Sequence, residues 1–134
     1  MTRPFTDAES AYLGTQRLGR LATAQPDGTL QNSPVGFDVN EATGTIDIYG
    51  FRLARSRKYR NVAENGRAAF VVDDIASIDP WRVRCLEIRA VAEAIEIDGQ
   101  SLIRLHPQRV ISFGLDEDRE AHEMTVHSRD PSTS

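Results

Sequence analysis

Between Phe51 and Asn61 the chain reads FRLARSRKYRN, with five basic side chains and no acid, in a 134-residue protein whose formal net charge is -4. Lys58 is the only lysine of the whole sequence, and it falls inside this run. Ser56 is a natural helix N-cap. If it acts as one, Arg57 and Lys58 occupy the first helical turn, with Arg55 just outside. A helix start already carries unpaired N–H groups and a partial positive charge, so each cation placed there costs about 0.3–1 kcal/mol. The arrangement becomes favourable once an anion docks among the N–H groups, the Ser56 hydroxyl and the cationic heads. Two arginines and a lysine around one point can hold a phosphate.

Two other readings of the run stand beside that one. It could be a solvated basic face paired with acids elsewhere in the fold. It could also be an RNA-binding patch, but no basic residues elsewhere extend it into a track and the rest of the chain is acidic. The remaining reactive side chains point to less. His106, His122 and His127 lack acidic or cysteine neighbours at ligand spacing, so a metal site is not expected. Cys85 sits mid-strand, more suited to core than to nucleophile. Asp73 and Asp74 read as turn or capping acids. Trp81, after Pro80, is either a core plug or a flat surface for an aromatic ring. No Gly-rich dinucleotide loop is present.

The elements that must position these groups follow from local signals. TDAESAYLGTQ predicts a short helix ending near Gly14, capped by Thr6 or Asp7. Asp27-Gly28 and Asp98-Gly99 mark tight turns between strand-like runs. Val35, Phe37 and Val39 alternate as in a half-buried strand, with Pro34 placing that strand at an edge or a bulge. TIDIYG alternates too. A second helix is predicted from about Arg57 to Glu64, stopped by Asn65-Gly66. RAAFVVDD suits a strand buried on both faces, and DIASIDP a loop. RVRCLEIRAVAEAIEI places Leu86, Ile88, Ala90, Ala92 and Ala94 on one face, where small alanines suit a tightly curved sheet. LIRLHPQRVISFGL reads as two strand pieces around Pro107. Six or seven short strands with close turns suggest a small barrel.

The length fits one domain: residues 1–115 as the folded unit and 116–134 as a loose, charged tail. Hydrophobic residues at 40% make a lean core, of the kind often completed by oligomerisation. One cysteine allows no intrachain disulfide, which fits a reducing compartment. There is no signal-peptide-like start and no run of the ~20 apolar residues a membrane span needs. A cytoplasmic protein is expected, with no membrane or nucleic-acid partner.

The ordered set RLGRLATAQPDGTLQNSPVGFDV, IDIYG, SRKYRNVAENGRAAFVVDD and DPWRVRCLEIRAVAEAI resembles the pyridoxamine 5'-phosphate oxidase-like flavoproteins. It is most similar to their branch of deazaflavin (coenzyme F-420) dependent oxidoreductases. The resemblance spans about Leu18 to Leu115. It implies a mainly β fold, a six-stranded split β-barrel with short flanking helices, working as a homodimer with cofactor sites at the interface. It places Ser33, Pro34, Val35 and Gly36 beside the cofactor ring, with Tyr49 and Gly50 lining the pocket. Arg55, Ser56, Arg57, Lys58 and Asn61 would surround the phosphate, and Trp81 would reach in from the other subunit. The implied activity is hydride transfer from reduced F-420 to a small organic acceptor, with no catalytic side chain required. An FMN-dependent oxidase or reductase, a non-catalytic flavin-binding protein, and a β-barrel module for an acidic partner are the alternatives.

Overall fold

The computed structural model describes residues 3–115 and 125–131. Helix α1 (Asp7–Thr15) opens the fold. Strands β1 (Leu18–Ala24), β2 (Leu30–Gly36), β3 (Asp38–Asn40) and β4 (Thr45–Ile48) follow, then a 3-10 turn (Leu53–Arg55) and helix α2 (Arg57–Asn65). Strands β5 (Arg67–Ser77), β6 (Arg82–Ile97), β7 (Gln100–Phe113) and β8 (His127–Arg129) complete it.

All strands pair antiparallel in one open sheet of order β2-β1-β5-β6-β7-β4-β3, with β8 added alongside β7. Eight strands thus stand, among the described residues, where six were expected; β3 and β8 have three residues each. The inner face buries one core, built from Leu21, Ile46, Ile48, Phe70, Val72, Leu86, Ile88, Ile103, Leu105 and Val110. Tyr12 and Leu13 of α1 and Val62 of α2 close over it. Alternation along β6 buries Leu86, Ile88, Ala90 and Ala92, as the sequence pattern requires.

Gly19 shows how tightly the sheet closes on that core. A Cβ built there would lie 2.1 Å from the ring of Phe70, and Phe37 meets the same ring edge-on at 5.3 Å. Only a residue without a side chain lets β1 run under that ring.

Four expectations change. The run after Phe70 is buried on one face only: Phe70 and Val72 point inward, while Ala69 and Val71 are half-buried on the outer face. DIASIDP is mostly strand, because Asp74 and Ile75 pair with Arg84 and Val83 of β6. Arg84 also grips the Asp74 carboxylate, its Nε at 2.9 Å. Strand β7 is continuous through Pro107. The ladder steps from Arg89↔Arg109 to Ala90↔Pro107, so Gln108 is an extra residue and the missing proline N–H falls at a bulge. Finally, part of the segment expected to be loose is anchored. Strand β8 lies against β7, and Arg129 donates to Glu9 through Nη1 at 2.9 Å.

Glu9 is 2% exposed. It takes the Thr6 amide at 3.0 Å and the Ser112 hydroxyl at 2.7 Å, besides Arg129. Burial alone pushes its carboxyl up, but these donors outweigh it and hold it below the usual range. Among the described residues no helix is long and apolar enough to cross a membrane.

Candidate functional site

The loop after β4 passes Tyr49, Gly50 and the exposed Phe51, then turns sharply at Arg52, whose φ is 55°. The guanidinium of Arg52 stacks over the Phe51 ring at 5.1 Å. Buried Leu53 anchors the 3-10 turn that follows. Ser56 then caps α2 as expected: its hydroxyl accepts the Tyr59 amide at 3.3 Å and donates to the Leu53 carbonyl at 2.6 Å. Gly66, at φ 70°, ends the helix by donating to the Val62 carbonyl.

The cationic heads gather where the sequence places them. Arg52, Arg55 and Arg57 are exposed and Lys58 half-exposed. Among the described residues none of the four bonds a carboxylate. Arg60 is turned back, donating to the Arg55 carbonyl at 3.1 Å. Asp27, in the β1–β2 turn, lies close enough to feel the charge of Arg57. Its carboxyl is lowered first by the Thr29 hydroxyl and amide, and in lesser part by the charge of Arg57. The corner therefore gathers several cations, without carboxylate hydrogen bonds among the described residues, beside the amides of a helix start, which suits an anionic ligand. Among the described residues, a basic face paired with the protein's own acids would need an ion pair that these four side chains do not make.

The seat of α2 is polar as well as apolar. Val62 and Asn61 are both buried, Asn61 at 0% exposure. Asn61 donates through Nδ2 to the Thr23 hydroxyl at 3.0 Å, and Asn65 donates to the Ala24 carbonyl at 2.8 Å. Tyr59 donates its hydroxyl to the Ile95 carbonyl at 3.2 Å, and the Ala92 amide reaches the Gly66 carbonyl. Asn61 was expected to surround the phosphate. In the fold its side chain is buried beneath the helix and donates to Thr23 of β1, whereas Arg52, Arg55 and Arg57 are exposed.

The four residues expected beside a cofactor ring do not share a face. Strand alternation sends Val35 into the core and buries the Ser33 hydroxyl, whereas Pro34 and Gly36 face outward. Pro34 lies on an outermost strand of the sheet path, opposite Arg20 of β1. The outer face beside it is concave. Arg20, Ala22, Asn32, Val71, Cys85 and Glu87 line part of an open groove of about 320 Å³, and its outline is drawn by the small side chains of Ala22 and Ala69. That groove was not legible, because its lining comes from four strands whose register only the fold reveals. Tyr49 and Gly50 sit exposed between β4 and α2.

Trp81 is 49% exposed at the turn joining β5 to β6. Strand β5 leaves the end of α2 and runs 11 residues to that turn, so Trp81 stands at the opposite end of β5 from the helix. One chain alone does not bring Trp81 and α2 together.

The other titratable clusters are structural. Asp47 is held by Arg104 at 3.0 Å through two nitrogens, by Asn40 at 2.9 Å and by Thr45 at 2.8 Å. Burial raises its carboxyl, but those donors win and lower it. Asp73 takes Arg20 at 2.7 Å. Burial, with Asp73 and Glu87 nearby, pushes the Cys85 thiol up to about 11, which makes it a poor nucleophile. His106 pairs with Glu93 on the surface, and His122 lies outside the described residues. No cluster of potential metal ligands occurs among the described residues.

Comparison with known proteins bears on this architecture. Residues 5–127 match the family described as Pyridoxamine 5'-phosphate oxidase. A 5a,11a-dehydrotetracycline/5a,11a-dehydrooxytetracycline reductase of Streptomyces rimosus subsp. rimosus is 43% identical over 135 residues, covering 95% of this chain and 93% of that protein. Two solved structures share the fold. An FAD binding protein from Mycobacterium smegmatis superposes with a TM-score of 0.63 at 17% identity, over 82% of this chain and 95% of its own. A pyridoxamine 5'-phosphate oxidase-related, FMN binding protein from Nostoc punctiforme gives 0.63 at 12% identity, over 95% and 98%. With its two helices on an open antiparallel sheet and a match running nearly end to end, this chain belongs to the pyridoxamine 5'-phosphate oxidase family.

Proposed function

We propose that this chain is an oxidoreductase that binds reduced coenzyme F-420 between two copies of itself and passes a hydride to a small conjugated organic acceptor. The observation that carries the reading is the 43% identity, over nearly the full length of both chains, with a reductase. That relative acts on 5a,11a-dehydro compounds. A polycyclic acceptor with an electron-poor carbon–carbon double bond is therefore the acceptor class proposed here.

The corner at the start of α2 is the place for the cofactor's anionic part. Four cationic heads without carboxylate partners among the described residues supply its charge. Arg55, Arg57 and Lys58 would hold the phosphate there, beside the first amides of the helix. Ser56 orders those amides by capping. Pro34 and Gly36, on the outer face of β2, offer a flat wall beside the groove, and Tyr49 and Gly50 flank the approach. Trp81 of a second copy would cover the side its own chain leaves open. A reduced deazaflavin supplies both electrons and the hydride when bound; the residues orient the acceptor and exclude water.

FMN is the alternative cofactor. FMN and FAD binding by proteins of this fold supports it, and it would permit oxidase chemistry or binding without turnover. Side-by-side titration with F-420 and FMN decides between them: F-420 is expected to bind at least 10-fold tighter, and tighter FMN binding overturns the cofactor assignment. Arg57→Glu with Lys58→Glu is expected to weaken the bound cofactor at least 100-fold. Unchanged affinity removes this corner from the site.

A further inference from the structure

Asn61 is fully buried beneath α2, yet it carries two polar groups there. One is used: Nδ2 donates to the Thr23 hydroxyl at 3.0 Å, and that hydroxyl faces Gln31 Oε1 at 3.4 Å. The other, Oδ1, has no partner among the described residues, and neither has the buried hydroxyl of Ser33. Thr23 pairs with Gln31 and Leu21 with Ser33, so Gln31 and Ser33 stand two residues apart on one face of β2. A polar line therefore runs from α2, through β1, to the strand whose other face carries Pro34 and Gly36. Leaving a buried carbonyl oxygen unpaired costs about as much as a lost hydrogen bond. Helix packing does not require it, since Val62 already supplies the apolar anchor.

We infer that Asn61 is a positioning residue: through Thr23 and Gln31 it fixes the cationic start of α2 relative to the outer wall of β2. The two halves of the cofactor site are thereby held at one spacing. The inference rests on the oxidoreductase reading above. Its physical content is pre-organisation. A ligand that spans both halves gains from their alignment, whereas a ligand touching only one half does not. Gln31 and Thr23 belong to the same device, and no direct contact of Asn61 with the ligand is needed.

The test uses the full chain with Asn61→Ala, Thr23→Val, the double variant, and Thr23→Ser, which keeps the hydroxyl. Calorimetric and NMR titrations measure three probes: the intact cofactor that the wild type binds, its ribityl form without phosphate, and inorganic phosphate. Asn61→Ala and Thr23→Val are each expected to weaken the intact cofactor about 10-fold while leaving both fragments within twofold of wild type. The double variant should be no weaker than either single one, and Thr23→Ser should match wild type. Thr23→Val preserves side-chain volume, so it reads the device even if Asn61→Ala folds poorly. A parallel loss of phosphate affinity would make Asn61 a direct ligand and overturn the inference. Equal loss of all three probes, or no loss of any, would reduce it to a packing residue. If the wild type binds neither F-420 nor FMN, the oxidoreductase reading falls and takes this inference with it. Cofactor binding with unaltered variants sinks the inference alone.

Discussion

Replacing Gly19 by alanine adds one methyl group where the Phe70 ring already sits. The new Cβ would meet three ring carbons at 2.1, 2.4 and 3.0 Å, against about 3.5–4.0 Å for a relaxed carbon contact. Something must move by roughly 1.5 Å. Phe70 is 1% exposed and Phe37 meets its ring at an interplanar angle of 74°, so the ring has no free direction. Overpacking of a well-filled core costs about 1–3 kcal/mol, and this overlap belongs at the upper end. At about 2.1 cal/mol/K of unfolding entropy per residue, 134 residues give about 0.28 kcal/mol/K, so a cost of about 3 kcal/mol lowers Tm by about 10 °C. Differential scanning calorimetry at fixed protein concentration reads this directly. Phe70→Leu in the Gly19→Ala background should recover several degrees, because the shorter side chain vacates the contested space. A Gly19→Ala melting point within 2 °C of wild type, or a second substitution that only destabilises further, would refute this account of why β1 needs glycine there.

Two further outcomes follow from buried charge and burial. Glu9 has a folded carboxyl lowered below its unfolded value, so it contributes stability above the unfolded pKa and loses it as pH falls through the folded one. Arg129→Ala should cost about 3 kcal/mol near neutrality, typical for breaking a buried pair, and should flatten the acid limb of the Tm–pH curve. An acid limb parallel to wild type would show that Glu9 is held by Thr6 and Ser112 alone. With its thiol pushed up to about 11 against 9.0 for a free cysteine, Cys85 should alkylate with iodoacetamide at pH 7 about 100-fold more slowly than a model thiol. Rapid labelling would mean that the groove around it opens in solution.

Much of the site's local structure was legible, because local chemistry specifies it. Ser56 and Gly66 bound α2 as cap and stop residues, and the charges between them sit at the helix start by arithmetic alone. Asp98-Gly99 turns β6 into β7 by the same kind of rule, with positive φ at both positions. What escaped depends on partners far along the chain. Nothing near Ile75 announces that it will pair with Val83, and nothing near Arg129 announces a carboxylate 120 positions earlier. Asn61 shows the boundary best. Its type and place in the helix were plain, and the family resemblance implied a place around the phosphate. The direction of its side chain depends on where β1 lies, which no pattern within the helix records.

Pro34 has a consequence beyond any ligand. Strand β2 ends the sheet path, and the outer strand of an open sheet is where foreign strands add and fibres begin. A proline in the middle of that strand breaks the row of donors an incoming chain would need. Exchanging it for valine would supply the missing hydrogen, and a concentrated solution of that variant is where slow self-assembly into ribbons would first be sought.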